Sequence, residues 1–223
     1  MKKVIKFVKN ILLLTLSILM LFSINSCEVI KKKELDSNNT GKLKVHFIDV
    51  DQGDCILIQQ GECNMLIDAG TNDAEKKVKE YLTNEKIDKL SYVIGTHAHE
   101  DHIGSLDYVI NSFNIGEVYF PKQIATTKCF ESFINAVQNK NLKLNSPKVG
   151  ETFKLGKAEC TILSPSKENY ENINNSSIVL KVTFGSTSFI FTGDVGKEAE
   201  EDMLSSGLDL KADILKVGHH GSK

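Results

Sequence analysis

The hydrophobic pattern changes period several times along the chain, and each change suggests an element. Lys44 to Val50 carries Val45, Phe47 and Ile48 between polar positions and reads as a strand. Residues 55–59 and 64–68 follow as a hairpin around Gly61. Asn72 or Asp73 can cap a helix running to about Asn84, with Val78, Tyr81 and Leu82 on one face. A short apolar strand spans 91–95. Ile103, Leu106, Val109 and Ile110 then repeat at helical spacing up to Phe113. Residues 117–120 read as a strand. Residues 127–139 read as a helix whose Phe130, Phe133, Ile134 and Val137 form a core stripe. After that the pattern is mostly strands, at about 151–155, 158–163, 177–184, 187–192 and 212–217, with one helix at about 197–206. Strands pair in sequence and helices fall between groups of strands. That order predicts an α+β chain with two mixed sheets and helices outside them.

The first 27 residues do not belong to this pattern. Lys2, Lys3, Lys6 and Lys9 precede an apolar run from Ile11 to Ile24, shorter than the roughly 20 residues of a spanning helix. Basic start, short apolar run and small residues read as an export signal. Ile24-Asn25-Ser26-Cys27 resembles a bacterial lipoprotein processing site, which implies cleavage before Cys27 and lipid on its thiol. An uncleaved signal anchor is the alternative. Both place the remainder outside the cytoplasm, the first on the outer face of the membrane. Residues 28–41 are polar and read as a tether, so the folded domain is expected over 42–223.

The formal net charge is −2, and the leader's four lysines and no acids leave about −6 for the rest. All 27 basic residues are lysine. An acidic domain without arginine is a poor binder of duplex nucleic acid, and it lacks a bidentate clamp for phosphate. A lysine or a metal must take that role; Lys122, after Pro121, is a weak candidate. Cys55, Cys63, Cys129 and Cys160 contain no C-x-x-C pair and lie in or beside apolar segments, so buried free thiols are expected.

The chemistry is concentrated in histidine. Three of the six histidines fall in His97-Ala98-His99-Glu100-Asp101-His102, two more are His219 and His220, and His46 sits in the first strand without apparent chemistry. A strand ending at Thr96 delivers a loop from which His97 and His99 can converge on one ion while Asp101 and His102 face a second. Imidazoles with a carboxylate and an open position make up a catalytic zinc site, and two such ions can share a nucleophile and clamp a phosphoryl oxygen. Asp194, after Gly193, would read alone as a turn residue. Asp49, Asp51 and Asp54 read as loop-forming, and Asp68 as a turn residue or a support for a ligand.

The hexapeptide resembles the signature of the metallo-β-lactamase superfamily. Leu66-Ile67-Asp68-Ala69-Gly70, Phe191-Thr192-Gly193-Asp194 and Val217-Gly218-His219-His220-Gly221-Ser222 agree with it. Val45 to Val50 with Gln52-Gly53-Asp54 narrows the resemblance to the hydrolase domain of the ComEC/Rec2 competence-protein family, although Asp51 replaces that family's glycine. The resemblance covers about 42–223. It implies an αββα sandwich with two divalent ions, Zn2+ or alternatively Mn2+, at one edge of the sheets. His97 and His99 match ligands of the first metal. Asp101 and His102 match ligands of the second, Asp194 the bridging carboxylate and His219 the last ligand. Asp101 also orients the nucleophile, a hydroxide held by the metals, and His220 would donate a proton to the leaving group. The implied substrate is a phosphodiester: single-stranded nucleic acid, a nucleotide or a surface polymer. An esterase or lactamase is the alternative enzyme, and a non-catalytic metal-binding protein the alternative class.

Two departures from the superfamily stand out. There is no histidine from 103 to 218, so the first metal lacks a third imidazole; Asn174-Asn175-Ser176-Ser177 occupies the corresponding stretch, and an asparagine or water could serve. The sequence also stops just after His-His-Gly-Ser, where relatives continue through a further helix and strand. The expectation is a sandwich lacking its C-terminal elements, with an exposed sheet edge.

Overall fold

A computed structural model describes residues 41–222. The expected leader, the lipid-attachment Cys27 and nearly all of the tether lie outside the described residues. Among the described residues no helix is long and apolar enough to cross a membrane.

From Leu43 onward the chain builds two sheets. The first has the order β1 (Leu43–Phe47), β2 (Ile56–Gln60), β3 (Cys63–Ile67), β4 (Lys89–Ile94), β5 (Asn114–Tyr119) and β6 (Leu144–Asn145). β1 to β3 are antiparallel neighbours, whereas β3 to β6 run parallel. The second sheet has β7 (Thr152–Leu155), β8 (Ala158–Ser164), β9 (Val179–Phe184), β10 (Thr187–Phe191) and β11 (Ile214–Lys216). Its pairs are antiparallel up to β10 and parallel at β10–β11. Both sheets are mixed, as the sequence pattern predicts.

Alternation along the strands produces the layering. Ile56, Ile58, Met65 and Ile67 face the second sheet and pack with Leu155, Ile162, Leu180 and Phe191. Their neighbours Leu57 and Leu66 point the other way, because successive strand side chains take opposite faces. They meet helices α1 (Glu75–Asn84), α2 (Glu100–Ile103), α3 (Leu106–Ser112) and α4 (Lys128–Asn139) through Val78, Ile103, Val109 and Phe133. On the far side, Leu163, Val179 and Ile190 pack on Ala199 and Met203 of α5 (Lys197–Ser205). The result is a four-layer αββα sandwich.

Some local expectations change. Neither Asn72 nor Asp73 caps a helix: a 3-10 turn over Asn72–Ala74 leads into α1, and Asn72 Nδ2 instead donates to Glu100 Oε1 at 2.8 Å. The helix expected over 103–113 is shorter, as α3, and is preceded by the separate α2, which begins inside the hexapeptide and ends at Ile103. Thr127 does cap α4, its hydroxyl accepting from Phe130 N. In the helical stripe Phe133 and Val137 are buried, while Phe130 and Ile134 pack at its margin. β6, with two residues, has no pattern to read. Cys55, Cys129 and Cys160 are buried free thiols and Cys63 is half-buried. Burial pushes the Cys160 thiol up to about 12. His46 Nδ1 lies 2.9 Å from the Tyr81 hydroxyl and ties β1 to α1.

The strand directions select one edge for chemistry. The C-terminal ends of parallel β3, β4 and β5, the start of antiparallel β2, the start of β9 and the ends of β10 and β11 all reach it. Ile178 N donates to Thr96 O at 3.0 Å there, joining the two sheets.

Candidate metal centre

The first sheet contributes the hexapeptide, which leaves the end of β4 through Gly95 and Thr96. His97 and His102 are fully buried; Asp101 is half-buried and His99 exposed. The short α2 turns His102 back beneath the loop, with its backbone NH on His99 O at 3.2 Å.

Asp68, just beyond β3, fixes this arrangement. It has a left-handed φ of 56° and is completely buried. One oxygen accepts Thr96 N at 2.8 Å; the other lies 2.7 Å from both Thr96 Oγ1 and His102 Nδ1. His102 Nε2 is therefore the free nitrogen, and it faces Asp194 Oδ2 at 3.2 Å. Burial opposes charge on His102, but Asp68 and Asp194 outweigh it and raise its pKa to about 10. His97 is held from its other side: Nδ1 lies 3.1 Å from Thr96 Oγ1 and 3.3 Å from Ser177 Oγ. Its Nε2 faces His99 Nδ1 at 3.0 Å and Asp194 Oδ2 at 4.0 Å. Burial, and then repulsion from His102, pulls the His97 pKa well below its usual value.

The second sheet contributes Asp194 and the histidine pair. Asp194 follows β10 through Gly193, whose φ is 53°. A Cβ at Gly193 would come within 2.9 Å of Ser177 Cβ and 3.1 Å of Thr96 Cβ, so glycine lets the two sheets close on each other. Ser177 Oγ accepts Asp194 N at 3.1 Å. Burial disfavours the charged carboxylate, yet His102 foremost, with His97 and His220, holds it well below the usual range.

After β11 the chain turns through His219 and His220, both with left-handed φ, 47° and 53°. The turn sends them in different directions. His220 Nε2 lies 3.4 Å from Asp101 Oδ2 and 3.5 Å from Asp194 Oδ2. His219 Nδ1 lies 2.8 Å from the Ser222 hydroxyl and belongs to none of the clustered groups.

His97, His102 and Asp194 present ligand atoms within 4.8 Å of one another, and so do Asp101, His102 and His220. Asp194 Oδ1 and His102 Nε2 are buried without a hydrogen-bond partner among the described residues. Two orphaned ligand-type atoms amid converging imidazoles and carboxylates fit a bound cation, whose coordination would satisfy them.

Of the residues singled out from sequence, His97, His99, Asp101, His102, Asp194 and His220 come together, and His219 does not. Asn175 Oδ1 accepts Gly196 N at 2.8 Å, while Asn174 Oδ1 is buried without a hydrogen-bond partner among the described residues. Lys122 is ion-paired with Glu168. Sequence reasoning missed Asp54 and Lys216. Asp54 belongs to two further clustered groups, with Asp194 and His220 and with Asp68 and His102. Burial foremost raises its pKa, against the attraction of Lys216. Its only sequence signal was its place in Gln52-Gly53-Asp54.

Comparison with known proteins bears on the family and the fold. Residues 48–223 match the family model described as the metallo-beta-lactamase superfamily. The chain is 31% identical over 200 residues to ComE operon protein 3 of Bacillus subtilis, covering 81% of this chain and 26% of that protein. It is 28% identical over 185 residues to Recombination protein 2 of Haemophilus influenzae, covering 81% of this chain and 21% of that protein. The chain thus spans about a quarter of the length of these curated relatives. Among solved structures, MEM-A1, a subclass B3 metallo-beta-lactamase from a soil metagenome library, superposes with a TM-score of 0.53 at 12% identity, covering 77% of this chain and 75% of that one. That likeness is one of fold.

Proposed function

The chain belongs to the metallo-beta-lactamase superfamily, and from that membership and the site geometry we propose that it is a metal-dependent phosphodiesterase. The observation that carries the reading is Asp194: one buried carboxylate faces His97, His102 and His220, drawn from both sheets, and keeps one oxygen without a hydrogen-bond partner among the described residues. His97, His99 and Asp194 would hold a first divalent ion; Asp101, His102, Asp194 and His220 would hold a second. His220 takes this place rather than His219 because its Nε2 is the nitrogen turned toward Asp101 and Asp194. Zn2+ suits the imidazole-rich set, with Mn2+ as the alternative.

Bound divalent ions supply Lewis acidity toward a phosphoryl oxygen and lower the pKa of water to about 7. The protein's residues do the positioning. Asp68 holds His102 Nδ1, so Nε2 points into the centre. The Thr96 and Ser177 hydroxyls hold His97 Nδ1 in the same way. Asp101, half-buried on the open side, can accept the proton of an attacking water at Oδ2.

A phosphodiester is favoured by the family resemblance and by a first-metal side with only two imidazoles, a poor match to β-lactam hydrolysis. The lack of arginine favours a nucleotide, a single strand or a surface polymer over duplex DNA. The lysine-rich start, apolar run and Cys27 support export and a lipid anchor on the outer face of the membrane. The test is hydrolysis of bis-p-nitrophenyl phosphate and of nitrocefin by the full chain, purified in detergent, with added Zn2+ or Mn2+. Metal-dependent cleavage of the phosphodiester is expected. Preferential cleavage of nitrocefin would overturn the assignment.

A further inference from the structure

Each imidazole at this centre has two ring nitrogens, and a ligand histidine is oriented by whatever holds the nitrogen turned away from the ion. Asp68 does this for His102, and two hydroxyls do it for His97. For His220 the group on the far side is Asp54: Oδ1 lies 3.6 Å from Nδ1, while Nε2 faces Asp101 and Asp194.

Asp54 is unusually well fixed for a loop residue. Its NH donates to Asp101 O at 3.1 Å, and its own carbonyl accepts Gly70 N at 2.9 Å. The backbone is thus attached on one side to the hexapeptide and on the other to the turn that carries Asp68. Gly53 permits this approach. Its φ is 99°, and a Cβ there would sit 1.8 Å from Asp101 O. The side chain is fixed as well. Asp54 Oδ2 lies 2.7 Å from Lys216 Nζ, and both side chains are nearly buried, 11% and 12% exposed. The same ammonium also donates to Gly193 O at 3.2 Å and Val217 O at 3.1 Å. Its three protons therefore have three acceptors, in the Asp54 loop, at the Gly193 turn and at the start of the turn that carries His220.

We propose that Asp54 is the positioning residue of His220: Lys216 occupies one carboxylate oxygen, the other faces the Nδ1 side of the imidazole, and Nε2 is thereby aimed at the metal centre. The inference rests on the reading of that centre as a metal site. It accounts for the orientation of a histidine on a partly exposed turn, whose side chain is 34% exposed and whose ring otherwise lies only beside those of His102 and His219. At 3.6 Å the contact is an ion-pair distance, longer than a hydrogen bond.

Zinc alone, titrated into the chelator-stripped full chain in detergent, tests this without reference to activity. Asp54→Ala should weaken one of the two binding events by about 10- to 100-fold and leave the other unchanged. His220→Ala should weaken the same event at least as much. In the His220→Ala background, Asp54→Ala should add nothing, because it acts through the ring that is already gone. Asp54→Asn keeps the shape and one acceptor oxygen, and should lose less than Asp54→Ala; it also serves if the alanine variant does not fold. Wild-type affinity in Asp54→Ala would overturn the proposal, as would additive losses in the double variant, which would make Asp54 itself a ligand. Loss of both binding events together with a lower melting temperature of the metal-free protein would also overturn it, as a structural effect. A wild-type chain that takes up no zinc overturns this proposal and the phosphodiesterase reading together. One that binds two ions but cleaves no phosphodiester overturns only the latter.

Discussion

The two sheets hold their shares of the centre differently. On the first sheet, His102 is completely buried, and its Nδ1 is 2.7 Å from a carboxylate that also binds the backbone of Thr96. On the second, His220 has a side chain 34% exposed, a left-handed backbone, and carboxylates only at 3.4 to 3.6 Å. One half is built by packing and hydrogen bonds that form as the core forms. The other is aimed by ion pairs at the end of an edge strand, where Ile214, Leu215 and Val217 are exposed. Damage to the first half should therefore register as lost stability, and damage to the second as lost metal affinity.

Asp68→Ala should have the largest effect. It leaves the buried His102 Nδ1 and the Thr96 amide without their partner and should cost about 3–5 kcal/mol of unfolding free energy, read from urea denaturation of the metal-free protein. A loss comparable to that of His220→Ala would erase the distinction between the halves. Gly193→Ala should come next. The new Cβ meets Ser177 and Thr96 at a φ of 53°, so a cost of about 1–3 kcal/mol is expected, with weaker zinc binding at both positions because Asp194 shifts. His220→Ala should change metal-free stability by no more than about 0.5 kcal/mol while weakening one of the two zinc-binding events in calorimetry. Chelation of the wild-type protein should lower its melting temperature, and His220→Ala should shrink that shift, since a ligand stabilises the folded state in proportion to its binding. His219→Ala should change neither quantity, because its ring lies against Ser222.

The same contrast explains what could be read from the sequence. The first half was legible because strand, loop and ligands are contiguous: the apolar run into Ile94 and the hexapeptide announce each other. The layered fold was legible more coarsely: the order of strands and helices predicts two mixed sheets with helices outside, but the unbroken apolar run Ile56-Leu57-Ile58 does not say which face meets the other sheet and which meets the helices. Asp54 was not legible, because an aspartate between glycine and cysteine is indistinguishable from any turn residue until β2 starts beside the end of β3. Which of His219 and His220 turns toward Asp101 depends on two left-handed φ values, and adjacent identical residues carry no pattern that reveals them. Lys216 carries no signal in the sequence; only the parallel pairing of β11 with β10 brings its ammonium to Gly193 and Asp54.

The central claim is that both sheets complete one two-ion centre around Asp194. Equilibrium dialysis of the full chain in detergent against excess Zn2+, followed by metal analysis, tests it most directly. The account predicts two zinc ions per chain for the wild type, and fewer for a folded Asp194→Asn variant. One zinc or less per wild-type chain, or an Asp194→Asn variant that still binds two, would contradict it.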